Sequence, residues 1–187
     1  MTPVLAFTVG YTAALFVYGQ VLSSPLTSLY TGINVGLLML FGVLHYWARW
    51  SLRAQWAVSL VGLGNMLGGV VLVDGQPLYI AAVIGPLPYD KLFHAVAAAG
   101  MTIIAWEAMR RWAGVGHHQG GLLLLTWLVV MGGGAAVEIA EFIGSSMSDV
   151  SVGDYGNNAL DLVANATGAA LALPIVVWLD RRRPAPA

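Results

Sequence analysis

The chain has 187 residues, 58% of them hydrophobic and only 9% charged, with a formal net charge of -1, and its mean hydropathy is +0.77. Soluble domains carry roughly 25% charged residues, so this balance excludes an ordinary water-soluble globule and points to an integral membrane protein. The absence of cysteine excludes disulfides, thiolate metal sites and cysteine nucleophiles.

A membrane-spanning helix needs about 20 apolar residues, so the length predicts an all-α, polytopic helical membrane bundle of about six transmembrane helices, forming one domain over 1-187. The first span is expected over Val4 to Leu22. It lacks a basic segment before it, and SSPLTS after it is a poor cleavage site, so it reads as a retained helix. The second span, Leu29 to Trp47, ends in Tyr46, Trp47 and Trp50 beside Arg49 and Arg53, the residue types that mark a membrane surface. His45 at this end reads as an interfacial histidine. The third span, Gln55 to Val73, carries Gly64 and Gly68 at a spacing that lets helix backbones approach. Asn34 and Asn65 are lone polar residues in spans two and three, for which interhelical hydrogen bonding is the expected role.

The stretch Asp74 to Tyr89 is too short in its apolar centre to span, and Pro77, Pro86 and Pro88 deny it a continuous helix. It is expected to lie in the interface or to dip back as a short re-entrant segment between spans three and four, a lid over what sits beneath. Span four runs from Asp90 to Trp112, with Glu107 spaced to pair with Arg110 and Arg111 as surface electrostatics. The loop GVGHHQG, whose His117 and His118 read as a solvated pair, leads to span five, Gly121 to Ile143. Span six covers Asn157 to Leu179, before the RRRPAPA tail.

Seven of the eight basic residues fall on one side of this arrangement, Lys91 being the exception. The positive-inside rule makes that side cytoplasmic and predicts both termini there. The acids do the opposite: Asp74, Asp90, Asp149 and Asp154 belong to the outer ends, and Glu138, Glu141 and Asp161 lie within a few turns of the same surface. At 1.5 Å per residue, Glu138 and Glu141 sit roughly 8 and 3 Å below the outer end of span five, and Asp161 and Asn165 roughly 6 and 12 Å below the start of span six.

An acid at bilayer depth costs roughly 2.5 to 3.5 kcal/mol or more, so such residues default to a functional hypothesis. Asn158, Asp161 and Asn165 share one helical stripe, with Asp154 just before it, and Glu138 and Glu141 are one turn apart. Asp90 and His94 share a face of span four, beside Ala95, Ala98, Ala99 and Gly100, which allow a neighbouring helix close. Spans four to six are therefore expected to converge on one outward-opening pocket. Glu138, Glu141, Asp161 and His94 are its candidate catalytic residues; these four with Asp90 and Asn165 are its candidate metal ligands; and Lys91, Asp154 and Asn158 support it.

Clustered carboxylates in low dielectric cannot all stay ionised without a counter-charge. Shared protons, the cations Lys91 and protonated His94, or a bound divalent metal each solve the problem; carboxylates with one imidazole suit Mg, Mn or Ca, with Zn possible through His94. The serines of GSSMSD have no histidine at a useful local spacing for nucleophilic catalysis. No Walker loop, dinucleotide fingerprint or basic aromatic patch occurs, so neither nucleotide nor nucleic acid is an expected partner.

The segments YDKLFHAVAAAG, EIAEFIG and GDYGNNALDLVANATGA resemble the second half of the VanZ-like and YjdF-like small bacterial membrane proteins. The matching positions are Asp90, Lys91 and His94, then Glu138 and Glu141, then Asp161, Asn165 and Gly168, within Pro88 to Leu171. Many VanZ-like sequences have Gln where Glu141 stands and an Arg in the following loop; SSMSDVS has none, which favours the YjdF-like branch. The resemblance implies a bacterial inner-membrane protein with a cell-envelope association. Two functional classes then compete, with membrane lipids as surroundings in either. One is an enzyme acting on a lipid or lipid-linked substrate that enters beneath the Asp74 to Tyr89 lid; the other is a small ion- or proton-coupled transporter, disfavoured because spans one to three lack counterparts of the acids. A scaffold whose polar network fixes helix register is the third option.

Overall fold

The computed structural model describes residues 2–112, 119–146 and 155–181, without the side chains of 144–146. Six long helices dominate it: α1 (Pro3–Val21), α2 (Thr27–Ala48), α3 (Leu52–Val70), α4 (Tyr89–Trp112), α5 (Gln119–Ser146) and α6 (Tyr155–Arg181). The predicted spans and these helices coincide to within a few residues, which makes the all-α polytopic bundle the fold of this chain. Five of the six helices are long and apolar enough to cross a membrane; α3 is not among them. Arg53, Gln55, Asn65 and four glycines dilute its apolarity, and Ala54, Met66 and Val70 are fully buried, so α3 is built to pack against protein more than against lipid.

The helix starts follow local chemistry. Thr2 caps α1, its hydroxyl accepting from Leu5 N at 3.3 Å, and Pro3 follows it in the first helical turn. Ser51 caps α3 in the same way, accepting from Ala54 N at 3.3 Å. In α4 an acid, Asp90, stands in the first turn and Arg110 and Arg111 in the last, matching the helix dipole at both ends.

The chain forms two compact units, residues 1–93 and 94–187, the boundary falling inside α4 after Phe93. In the first unit α1, α2 and α3 pack on one another. Their interface carries a neutral hydrogen-bond network. Thr8 and Ser59 hydroxyls lie 2.7 Å apart, Asn34 Nδ2 donates to Thr12 Oγ1 at 2.8 Å, and Tyr11 O–H donates to Asn34 Oδ1 at 3.5 Å. Gly62 leaves the room that Asn34 Oδ1 and the Tyr11 hydroxyl occupy.

The connection after α3 is neither a helix nor a featureless loop. It folds as two small antiparallel hairpins, β1 (Leu72–Val73) with β2 (Gln76–Pro77) and β3 (Ala82–Ile84) with β4 (Leu87–Pro88), separated by a 3-10 turn at Leu78–Ile80. Asp74 and Gly75 take positive φ, 51° and 79°, as the two central residues of a tight hairpin require, and Gly85 opens the second turn at φ 56°. Tyr79 on the 3-10 turn anchors the connection to α3: its hydroxyl donates to Asn65 Oδ1 at 2.7 Å. The rings of Tyr30, Tyr79 and Phe93 fill the space beside Gly69, Gly68 and Gly64 respectively. The expected role of Gly64 and Gly68 is thus corrected: those glycines admit aromatic rings, not a neighbouring helix backbone.

In the second unit α5 packs on α6. Small residues bring α4 and α6 together, Gly168 lying against the backbone carbonyl of Ala95 so closely that no Cβ fits. Ala98, Ala105, Val130 and Ala169 form one apolar cluster, and Trp106, Leu122 and Val176 another. Glu107 departs from expectation. It is only 2% exposed, not a surface residue. Arg110 instead pairs with Asp180 on α6 at 3.1 Å and lies 5.8 Å from the Trp106 ring centre.

Candidate functional site

The second unit places one histidine between acids from two other helices. His94 is the sixth residue of α4, where the small residues beside it let α6 approach. Its Nε2 lies 3.6 Å from Asp161 Oδ1 on α6 and its Nδ1 lies 3.7 Å from Glu138 Oε1 on α5. On that same Nδ1 side stands Asn165 Oδ1, at 3.4 Å. All four residues are buried, with exposures of 8% for His94, 5% for Glu138, 1% for Asp161 and 4% for Asn165. Spacing explains why they meet: Asp161 and Asn165 are one turn apart on α6, and Gly134, one turn before Glu138 on α5, leaves room for the Asn165 amide.

The surrounding shell is polar. Asn157 Nδ2 donates to Asp161 Oδ2 at 2.8 Å, so the oxygen of Asp161 not facing His94 is held from within α6. Trp127 on α5 donates its indole N–H to the Ala166 carbonyl at 3.3 Å, fixing α5 against α6 at the residue after Asn165. Asp90 stands one turn ahead of His94 on α4, half-buried and paired with Lys91 at 2.8 Å. His94 and Asp161, both of the second unit, each offer a buried atom that can ligate a metal.

The separations around His94 have a chemical meaning. A charge-assisted hydrogen bond between imidazolium and carboxylate runs at about 2.7–2.9 Å. Two ligands on one tetrahedral ion, each bound at about 2.0–2.2 Å, sit roughly 3.3–3.6 Å apart. The His94 Nε2 to Asp161 Oδ1 separation matches the second figure better than the first. The donor set, one imidazole with carboxylates, suits Zn or Mn among the divalent ions.

The chain matches, over residues 3–182, the family described as "Predicted membrane protein (DUF2238)". It belongs to this family. The match takes in the first three helices as well as the last three. No curated protein and no solved structure is matched.

Among the sequence-predicted site residues of this family member, His94, Glu138, Asp161 and Asn165 come together, with Asp90 and its partner Lys91 on the turn before His94. Glu141, one turn beyond Glu138, is half-buried. Asn158 is half-buried, with its Oδ1 enclosed and unbonded, and it is Asn157 that holds Asp161. Asp154, Asp149, His117 and His118 lie outside the described residues, as do the side chains of the GSSMSD serines. Asn157, Trp127 and Gly134 are the participants that sequence reasoning missed. Asn157 alone had a readable signal, its four-residue spacing from Asp161.

Proposed function

We propose that this membrane protein holds a divalent cation on His94 Nε2 and Asp161. Glu138 and Asn165 orient the histidine from its other nitrogen. The observation that carries the reading is the 3.6 Å separation of His94 Nε2 from Asp161 Oδ1, too long for a strong ion pair and suited to two ligands of one ion. The Nδ1 side supports it: ligating histidines as a rule give their second N–H to a carboxylate, carbonyl or water, and Glu138 and Asn165 present oxygens there.

A divalent ion held by His94 and Asp161 would supply Lewis-acid chemistry there. Metal-assisted chemistry on a lipid or lipid-linked envelope substrate is the use that the VanZ-like and YjdF-like resemblance favours, with the pocket facing the outer side of a bacterial inner membrane. One observation favours the second reading, ion- or proton-coupled transport: none of His94, Glu138, Asp161 and Asn165 is more than 8% exposed, which suits an ion better than a bulky substrate.

Metal analysis of the purified full-length chain tests the cation itself. We expect close to one Mn or Zn per chain in the wild type, lost in Asp161→Asn. Wild-type protein that stays metal-free after dialysis against either ion overturns the proposal. If metal is bound, radiolabelled flux into proteoliposomes separates transport from chemistry.

A further inference from the structure

The two hairpins between α3 and α4 differ in what they turn outward. The tip of the first, Asp74, Gly75 and Gln76, is polar and exposed. From Pro77 to Tyr89 no side chain is charged, and only Tyr79 and Tyr89 are polar at all. Both reach inward to α3: the Tyr79 hydroxyl donates to Asn65 Oδ1 at 2.7 Å and the Tyr89 hydroxyl to the Gly64 carbonyl at 2.8 Å. What remains outside is apolar. Ile80 and Ile84 are 64% and 61% exposed, and Val83 and Leu87 are exposed with them.

Successive side chains of a strand face opposite sides, so a strand laid on a protein core buries every second residue. Ala82, Val83 and Ile84 are all exposed, so neither face of β3 lies on the protein. An isolated two-stranded hairpin is marginal in water, and an apolar one is an aggregation site. In a chain with five helices apolar enough to cross a membrane, polar groups turned in and apolar groups turned out describe a surface made for lipid.

The backbone decides between lipid and a strand of another protein, and it also sets the depth. Pairing with a further strand needs a row of free N–H and C=O groups. Proline has no N–H, and Pro86 and Pro88 bracket Leu87, which leaves Leu87 the only donor of β4; β3 is three residues long. Strand edges in turn cannot enter the hydrocarbon core, where nothing bonds them. At the boundary of headgroups and acyl chains the backbone stays wet while apolar side chains reach lipid.

We propose that the second hairpin, residues 82–88, together with Ile80 is an interfacial lipid anchor. Ile80, Val83, Ile84 and Leu87 enter the membrane surface, and the turn at 74–76 stays in water. Tyr79 and Tyr89, tied to α3, hold the hairpin at that level.

The chain has no cysteine, so one introduced cysteine carries a nitroxide label at a chosen residue. In full-length protein reconstituted into phosphatidylcholine vesicles, collision of the label with molecular oxygen, which concentrates in lipid, is compared with collision with a water-soluble nickel chelate. The oxygen-to-nickel ratio is expected to be several-fold higher for Ile84→Cys than for Gln76→Cys. Ile80→Cys gives the same reading from the 3-10 turn should the label at 84 lower the melting temperature. A ratio no higher than at 76 puts the hairpin in water and overturns the proposal. Low collision with both reagents places it under protein, a second copy included, and overturns it equally.

Discussion

The two units handle buried polarity in opposite ways. In the first, the network among α1, α2 and α3 is neutral and its central groups meet at short range: Thr8 with Ser59 at 2.7 Å and Asn34 with Thr12 at 2.8 Å. In the second, an imidazole faces two carboxylates across gaps of 3.6 and 3.7 Å. A neutral network closes on itself and fixes how helices pack, with an average worth of about 0.6 kcal/mol per bond in a membrane protein. Charged groups held apart in low dielectric do not close, and they persist where a ligand or a proton completes them. The difference marks the second network, and not the first, as the candidate for function.

Breaking the comparison at its centre gives the largest effect. His94→Ala leaves Asp161 and Glu138 buried without their shared imidazole, and losing one member of such a set costs about 3–5 kcal/mol. Asn34→Ala, at the centre of the neutral network, should cost about 1–2 kcal/mol. Both are read from reversible unfolding in mixed micelles. Equal losses would falsify the distinction between the two units.

A smaller effect sharpens how the charged centre is assembled. Gly168 lies against the Ala95 carbonyl, where backbone cannot give way as a flexible side chain can, so Gly168→Ala should push α6 from α4 at a cost of about 1–3 kcal/mol. Gly36 on α2 has open space around it, and Gly36→Ala should stabilise its helix by about 0.5–1 kcal/mol. The two alanine variants therefore move the melting temperature in opposite directions. If Gly168→Ala also abolishes metal retention while Gly36→Ala does not, the small residues of α4 and α6 are what hold His94 on Asp161.

Helical spacing made much of this legible. Apolar runs located all six helices, and polar residues recurring every three to four positions within them singled out His94, Glu138, Asp161 and Asn165. Spacing failed where the answer depends on direction or on a distant partner. On α6 side chains lean toward the helix start, so Asp161 meets the amide four residues back, Asn157, and not Asn158, three back. Glu107 is spaced for Arg110 and Arg111 as a surface group, yet it is buried, and Arg110 turns to Asp180, 70 positions along the chain. The glycines of α3 announced a flat face without saying that rings from Tyr30, Tyr79 and Phe93 would cover it. The first hairpin had a signal, Asp74-Gly75 after the apolar pair Leu72-Val73, that was outweighed by the expectation of a membrane dip.

The smallest expected effect concerns that hairpin connection, which borrows the order of the first unit through a single side chain. Tyr79 sits on Gly68, stands 5.5 to 5.8 Å from the rings of Tyr30, Tyr89 and Phe93, and donates its hydroxyl to Asn65. Tyr79→Phe keeps the ring and its packing while removing one donor, so the global loss should be only about 0.5–1.5 kcal/mol. Local opening should show it more clearly. Amide exchange across 72–88 is expected to speed up about tenfold, which corresponds to about 1.4 kcal/mol of local stability, while α5 and α6 exchange as before. Should exchange across 72–88 stay unchanged, ring packing alone fixes the hairpins, and Asn65 is held by Tyr79 to no structural effect. A tenfold change confined to that segment instead makes the Tyr79–Asn65 bond the latch that ties the connection to α3.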